Sequence, residues 1–124
     1  MAKLFPEVAS DFGRYSTPKA DLVETDTTFW CSMELAGCAP EDVTVTQEGT
    51  SRIDVCAERK HCCESKETDI VHMKERYFGK MQRTIFFPDN ANVDAAKTTF
   101  KNGVLCLSVP KKSPSKRLLP LETA

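Results

Sequence analysis

Phe100-Lys101-Asn102-Gly103-Val104-Leu105-Cys106-Leu107-Ser108-Val109-Pro110 decides the fold. Asn102-Gly103 tolerates the positive φ angles that both central residues of a type I′ turn require, so it predicts a tight hairpin between residues 98–101 and 104–109. Leu105, Leu107 and Val109 alternate onto one face, with Val104 and Cys106 on the other. Pro110 brings no amide donor and ends the strand.

Working outward, the same period of two recurs. From Thr28 onward Phe29, Cys31, Met33 and Leu35 point one way while Trp30, Ser32 and Glu34 point the other, which predicts a half-buried strand. Gly37-Cys38-Ala39-Pro40-Glu41-Asp42 has loop composition, after which Val43 and Val45 alternate with Thr44 and Thr46 until Gly49. Ile53, Val55 and Ala57 alternate with Asp54, Cys56 and Glu58, giving a third strand over 52–58. Residues 59–69 are polar and charged and predict an exposed loop. Residues 70–76 resume a weak strand pattern, and Met81 to Phe87 form another strand that stops at Pro88. Residues 89–97 hold a turn or a single helical turn. Seven to eight short strands with no long helix predict an all-β fold, an immunoglobulin-like antiparallel β-sandwich. Ahead of it Leu4, Val8, Phe12 and Tyr15 are spaced as one face of a helix, a short amphipathic arm that Pro18 terminates; such a stripe serves either its own domain or a partner.

With 124 residues, 40% of them hydrophobic, the chain can bury one core, and one domain with short arms is expected. Lys plus Arg is 17 against 18 Asp plus Glu, so the basic excess that drives nucleic-acid binding is missing. No apolar run approaches the roughly 20 residues that cross a bilayer, and no secretory apolar segment opens the sequence, so a soluble cytoplasmic protein with no membrane partner is expected. No phosphate-cradling glycine loop is present, which predicts activity without ATP and without a cofactor. The six cysteines are expected to be free thiols. Cys31, Cys56 and Cys106 lie in alternating apolar runs and read as small buried hydrophobes. Cys62 and Cys63 sit in the exposed loop, open to oxidation or crosslinking. His61, Cys62, Cys63 and His72 lack the paired spacing of a zinc site, so no metal is expected. Catalysis would need a histidine to meet a Cys or Ser nucleophile and an orienting acid in space, but His61 in the loop and His72 in an alternating stretch read as solvated or cross-strand residues, and no enzyme is expected.

The segment from Phe100 to Lys111 resembles the A-x-x-x-N-G-V-L hallmark of small heat-shock proteins, which have an alpha-crystallin domain. Three further stretches are similar to that family in the right order: Gly37, Pro40, Glu41 and Asp42 before Val43; Ala57-Glu58-Arg59-Lys60; and Glu75-Arg76 followed by Gly79-Lys80-Met81-Gln82-Arg83 and Phe87-Pro88. Thr98 stands where the hallmark alanine is usual, Met81 where phenylalanine is common and Phe87 where leucine is common. The resemblance divides the chain into an arm (1–20), an alpha-crystallin-like domain (21–111) and a tail (112–124).

The resemblance implies a dimer in which residues 70–76 reach across as a swapped strand, with Ile70, Val71, His72 and Met73 at the interface and Arg83 paired with acids of the partner. It implies that Leu119-Pro120-Leu121 acts as an I-x-I tail motif, Leu119 and Leu121 entering a groove at a neighbour's sheet edge. The eight residues from Lys111 to Leu119 span at most about 28 Å, enough to reach a neighbouring domain. It implies an ATP-independent holdase that binds unfolding proteins and forms higher oligomers, with Leu4, Phe5, Val8, Phe12 and Tyr15 of the arm as client-binding residues. The arm is short for the family, which is compatible with a small oligomer. The alternatives are an adaptor similar to the CS-domain co-chaperones, which share a related sandwich, and a structural module with no client.

Overall fold

A computed structural model describes residues 16–61, 63, 65–113 and 119–123. Among them are seven strands: β1 (Ala20–Glu24), β2 (Thr28–Glu34), β3 (Val43–Glu48), β4 (Arg52–Arg59), β5 (Gly79–Phe86), β6 (Lys97–Lys101) and β7 (Val104–Pro110). They form a four-stranded sheet ordered β1-β2-β7-β6 and a three-stranded sheet ordered β3-β4-β5. Every strand pair is antiparallel. The all-β sandwich expected from the strand pattern is the observed fold.

The hairpin turn has the expected geometry, with φ of 55° at Asn102 and 77° at Gly103. The turn joins β6 to β7, and β7 lies along β2 so that Leu107 pairs with Cys31 and Leu105 with Met33. All four are at most 2% exposed. The three-stranded sheet faces them with Ile53, Val55 and Ala57 of β4 and Met81 and Ile85 of β5. Phe29 meets Phe87 edge to face at 6.1 Å between ring centres, an arrangement that suits the ring quadrupoles. Pro40–Asp42 and Val93–Ala95 are single 3-10 turns, the second answering the expected helical turn between β5 and β6.

Three features depart from the sequence reading. β1 was not expected: four of its five residues are exposed, so it carries no burial alternation, and it exists by pairing with β2. Cys38, in a stretch with loop composition, is buried, because the turn after β2 folds inward over the core. Residues 70–76 join no strand of their own chain, since the ladder between β4 and β5 closes at the pair Arg59–Gly79 and leaves them outside it.

Gly103 holds the turn through space as well as dihedral freedom. Its φ is left-handed, and an added Cβ would sit 3.0 Å from Ala36 Cα. Gly49 also has positive φ, at 64°, but faces open space. Gly103→Ala is therefore expected to cost ~1–3 kcal/mol and Gly49→Ala less, an order that urea denaturation of the two variants checks.

Candidate functional site

Among the described residues no polar or charged side chain is buried, and no three His, Cys, Asp or Glu side chains converge as metal ligands. No helix there is long and apolar enough to cross a membrane. The exposed large hydrophobic side chains lie instead on sheet edges, an outer face and the segments that leave the sandwich.

The first such place is β1, the edge of the four-stranded sheet, with Leu22 and Val23 exposed. Val23 pairs with Trp30, itself 48% exposed, on the outer face of that sheet. The second is the segment between β4 and β5, where Ile70 and Met73 are 80% and 76% exposed and Val71 and His72 are exposed as well. The segment itself lines a cavity of about 390 Å³, with His61, Cys63, Val71, Met73 and Phe78 among its walls. His61 stacks on Phe78 at 4.1 Å, and the Arg76 guanidinium lies 4.7 Å from the same ring's centre.

Apart from these places, a groove of about 180 Å³ runs between the β3 and β6 edges, with Val45, Ile53, Val93, Ala96 and Thr98 in its lining. Gln47 Nε2 donates to Asp94 Oδ1 at 2.6 Å, joining β3 to the turn before β6 beside the groove. Leu119 and Leu121 are 66% and 91% exposed, so neither is seated in a groove of its own chain.

Arg83 is half-buried, and within the single chain its Nη1 donates to the Pro18 carbonyl at 3.1 Å. The neighbouring Ser16 adds a parallel bridge on β5, its amide donating to Lys80 O and its carbonyl accepting from Gln82 N, both at 3.1 Å. Residues 16–20 thus cross from the edge of one sheet to the edge of the other, and Arg83 fastens that crossing. Leu4, Phe5, Val8, Phe12 and Tyr15 lie outside the described residues, as does Cys62.

At the opposite end of β4, Arg59 Nε donates to Ala36 O at 2.7 Å and Nη1 to Tyr77 O at 3.2 Å. The sequence places Arg59 in a stretch similar to the family but assigns it no role, because its partners are backbone carbonyls and leave no side-chain pattern. Lys60 pairs with Asp42 at 3.1 Å beside it, and the bond raises the lysine's pKa.

Cys31, Cys38 and Cys56 are buried, Cys106 is intermediate and Cys63 is exposed; all five are free thiols. Burial raises the thiol pKa of Cys31, where the Arg83 charge opposes it, and of Cys38, where Arg59 opposes it. Cys56 is pushed up to about 11 by burial and by the nearby Asp54 carboxylate. Asp54 in turn accepts from Thr84 Oγ1 at 2.7 Å and pairs with Arg52 at 3.2 Å.

The sequence model described as Hsp20/alpha crystallin family matches residues 21–120. Small heat shock protein C2 of Rickettsia felis is 33% identical over 99 residues, covering 80% of this chain and 63% of the relative. The 17.4 kDa class I heat shock protein of Arabidopsis thaliana is 33% identical over 108 residues, covering 87% of this chain and 69% of that one. The chain spans 60–63% of the length of two Rickettsia felis relatives, C2 and C4. Among solved structures, a small heat-shock protein from Xylella fastidiosa superposes with a TM-score of 0.73 at 26% identity, covering 86% of this chain and 97% of that chain. Heat shock protein 16.0 from Schizosaccharomyces pombe gives 0.68 at 30% identity, covering 86% and 98%.

The thiols make a direct prediction. Between pH 9 and 11 an unfolded chain releases the Cys56 proton while the folded chain retains it, so rising pH favours unfolding in that window. The urea midpoint should fall from pH 9 towards 11, and Cys56→Ala should remove part of that fall. At pH 8 iodoacetamide should label the peptide carrying Cys63 before those carrying Cys31, Cys38 or Cys56, as mass spectrometry can read.

Proposed function

The chain belongs to the Hsp20/alpha crystallin family, and from that membership we propose that it is an ATP-independent holdase, a cytoplasmic chaperone that binds unfolding proteins and limits their aggregation. The carrying observation is that its exposed large apolar side chains are concentrated on edges, an outer face and flanking segments of a sandwich whose core is closed. Aggregating chains present apolar segments to one another, and such surfaces compete for them. The family match favours this reading over a CS-domain-like adaptor. The function needs no catalytic group, cofactor, nucleic acid or membrane.

The arm residues Leu4, Phe5, Val8, Phe12 and Tyr15 are the proposed client contacts, their weak individual binding multiplied when several arms surround one client. Dimers form when residues 70–76 of each copy add to an open edge of the other's sandwich. Supporting this, Ile70, Val71 and Met73 are exposed and unladdered in the single chain, while β1 is an edge strand. Arg83 stands at the root of β1 through its bond to Pro18 and is proposed to meet acids of the partner there. Dimers join into higher oligomers when Leu119 and Leu121 enter the groove between β3 and β6 of a neighbour. An extended tail suits it, because Leu119 and Leu121 project to one side.

Heating an aggregation-prone enzyme with this protein and no ATP should suppress light scattering near stoichiometric ratios; a folded protein that gives no suppression would refute the holdase. Replacing Leu119 and Leu121 by Ser should reduce the assembly to dimers in sedimentation, and an unchanged mass would refute tail docking.

A further inference from the structure

Resting on the reading that residues 70–76 are exchanged between copies, we propose that Arg59 is the positioning residue of the exchange segment, a guanidinium clamp that fastens both ends of that segment to the sandwich and so sets where it departs. The last rung of the β4–β5 ladder is the pair Arg59–Gly79, so Arg59 occupies the point at which the segment leaves β4. Its Nη1 bond to the Tyr77 carbonyl holds the returning end, and its Nε bond to the Ala36 carbonyl holds both to the turn after β2. Two stretches remote in sequence, the turn after β2 and the return into β5, therefore meet at the side chain that ends β4.

The surroundings are shaped for this clamp. Gly37 has φ of 81°, and a Cβ there would lie 3.5 Å from Arg59 Nε and 3.6 Å from Cδ, so the arginine stem packs along the glycine. Gly79 has φ of 131° and lies against Tyr77, whose hydroxyl would be 3.2 Å from an added Cβ; the same hydroxyl donates to the Lys80 carbonyl. The reversal into β5 thus keeps Tyr77 beside the ladder's last rung. Just outside the clamp, His61 stacks on Phe78 as a second contact between the outgoing and returning ends of the segment.

A guanidinium suits the position and an ammonium does not. Its fixed planar fork directs donors to two carbonyls at once, whereas a lysine is a single point charge on a flexible stem. Exchange demands that the free part of the segment be presented to a partner in one direction, and fixing both ends removes orientations that would otherwise have to be lost on pairing. Arg59 acts on the partner only through the segment it holds.

The experiment compares full-length wild type, Arg59→Gln and Arg59→Lys by hydrogen exchange, by the dilution at which dimers dissociate, and by thermal unfolding. The expected result for Arg59→Gln is that amides of residues 36–38 and 77–78 exchange faster, those of β2 and β7 are unchanged, and the dimer dissociation constant rises about tenfold. Tm should move by no more than about 5 °C. Arg59→Lys should not restore the dimer, because charge alone does not supply the fork. Full rescue by lysine, an unchanged dissociation constant, or uniform loss of protection across β2 and β7 would each overturn the clamp. Gly37→Ala, which keeps Arg59 and disturbs its Ala36 acceptor, should weaken the dimer in the same direction if Arg59→Gln fails to fold, and a wild-type dissociation constant in it would overturn the clamp. Deleting residues 64–76 is the control: surviving dimers would overturn the exchange reading itself, whereas dimers lost on deletion yet untouched by Arg59→Gln would overturn only the role of Arg59.

Discussion

The ladder between Thr28–Glu34 and Val104–Pro110 is the contact on which the rest of the sandwich depends. The two strands are remote in sequence, and bringing them together has a loop-closure cost that local structure does not offset. Burial does: Phe29, Cys31 and Met33 share rows with Val109, Leu107 and Leu105, and all six are nearly inaccessible. A slip of one residue would turn Leu107 to solvent and carry Cys106 and Ser108 inward, so the alternating pattern admits one register. The Asn102-Gly103 turn then brings β6 alongside, and the Leu35 amide bonds the Gly103 carbonyl at 2.7 Å, fastening the turn to the end of β2.

A sandwich closed this way still has edges, and this chain treats them unequally. The β5 edge receives Ser16 as a parallel bridge, with Arg83 holding the following Pro18 carbonyl. The β3 and β6 edges flank a groove beside the Gln47–Asp94 bond. At the β1 edge Leu22 and Val23 stay exposed, while at its far end Glu24 pairs with Lys111 at 2.6 Å, tying the first strand to the start of the tail. Unpaired strand edges template association, and the proposed assembly contacts fall on these edges.

What the sequence discloses follows from which force leaves a pattern. β2, β4 and β7 were legible because half of each is buried, and burial writes itself as alternation. The hairpin was legible because only a few residue pairs tolerate its dihedral angles. β1 was illegible: its stability comes from backbone bonds to β2, which any residue but proline can make. Cys38 was illegible for a related reason, since a loop that turns inward keeps loop composition. Residues 70–76 show the reverse case, a strand-like pattern with no ladder in its own chain. The arm's spacing was readable too, but its residues fall outside the described structure.

That last mismatch has physical content. Exposed apolar residues scattered singly need no explanation, but clusters of them do. Here Leu22 and Val23 sit on an edge strand beside Trp30, and Ile70, Val71 and Met73 sit together on a segment without a ladder. Among the described residues the first cluster offers edge backbone groups with no strand beside them, and the second a segment with no ladder. Each copy holds both halves of such a contact, the requirement for a symmetric pair in which one surface meets its complement twice. An intramolecular closure would have to fold the segment back across its own base, where Arg59 holds Tyr77 and His61 stacks on Phe78. In the proposed exchange the base stays held together, so pairing with a second copy leaves those contacts intact.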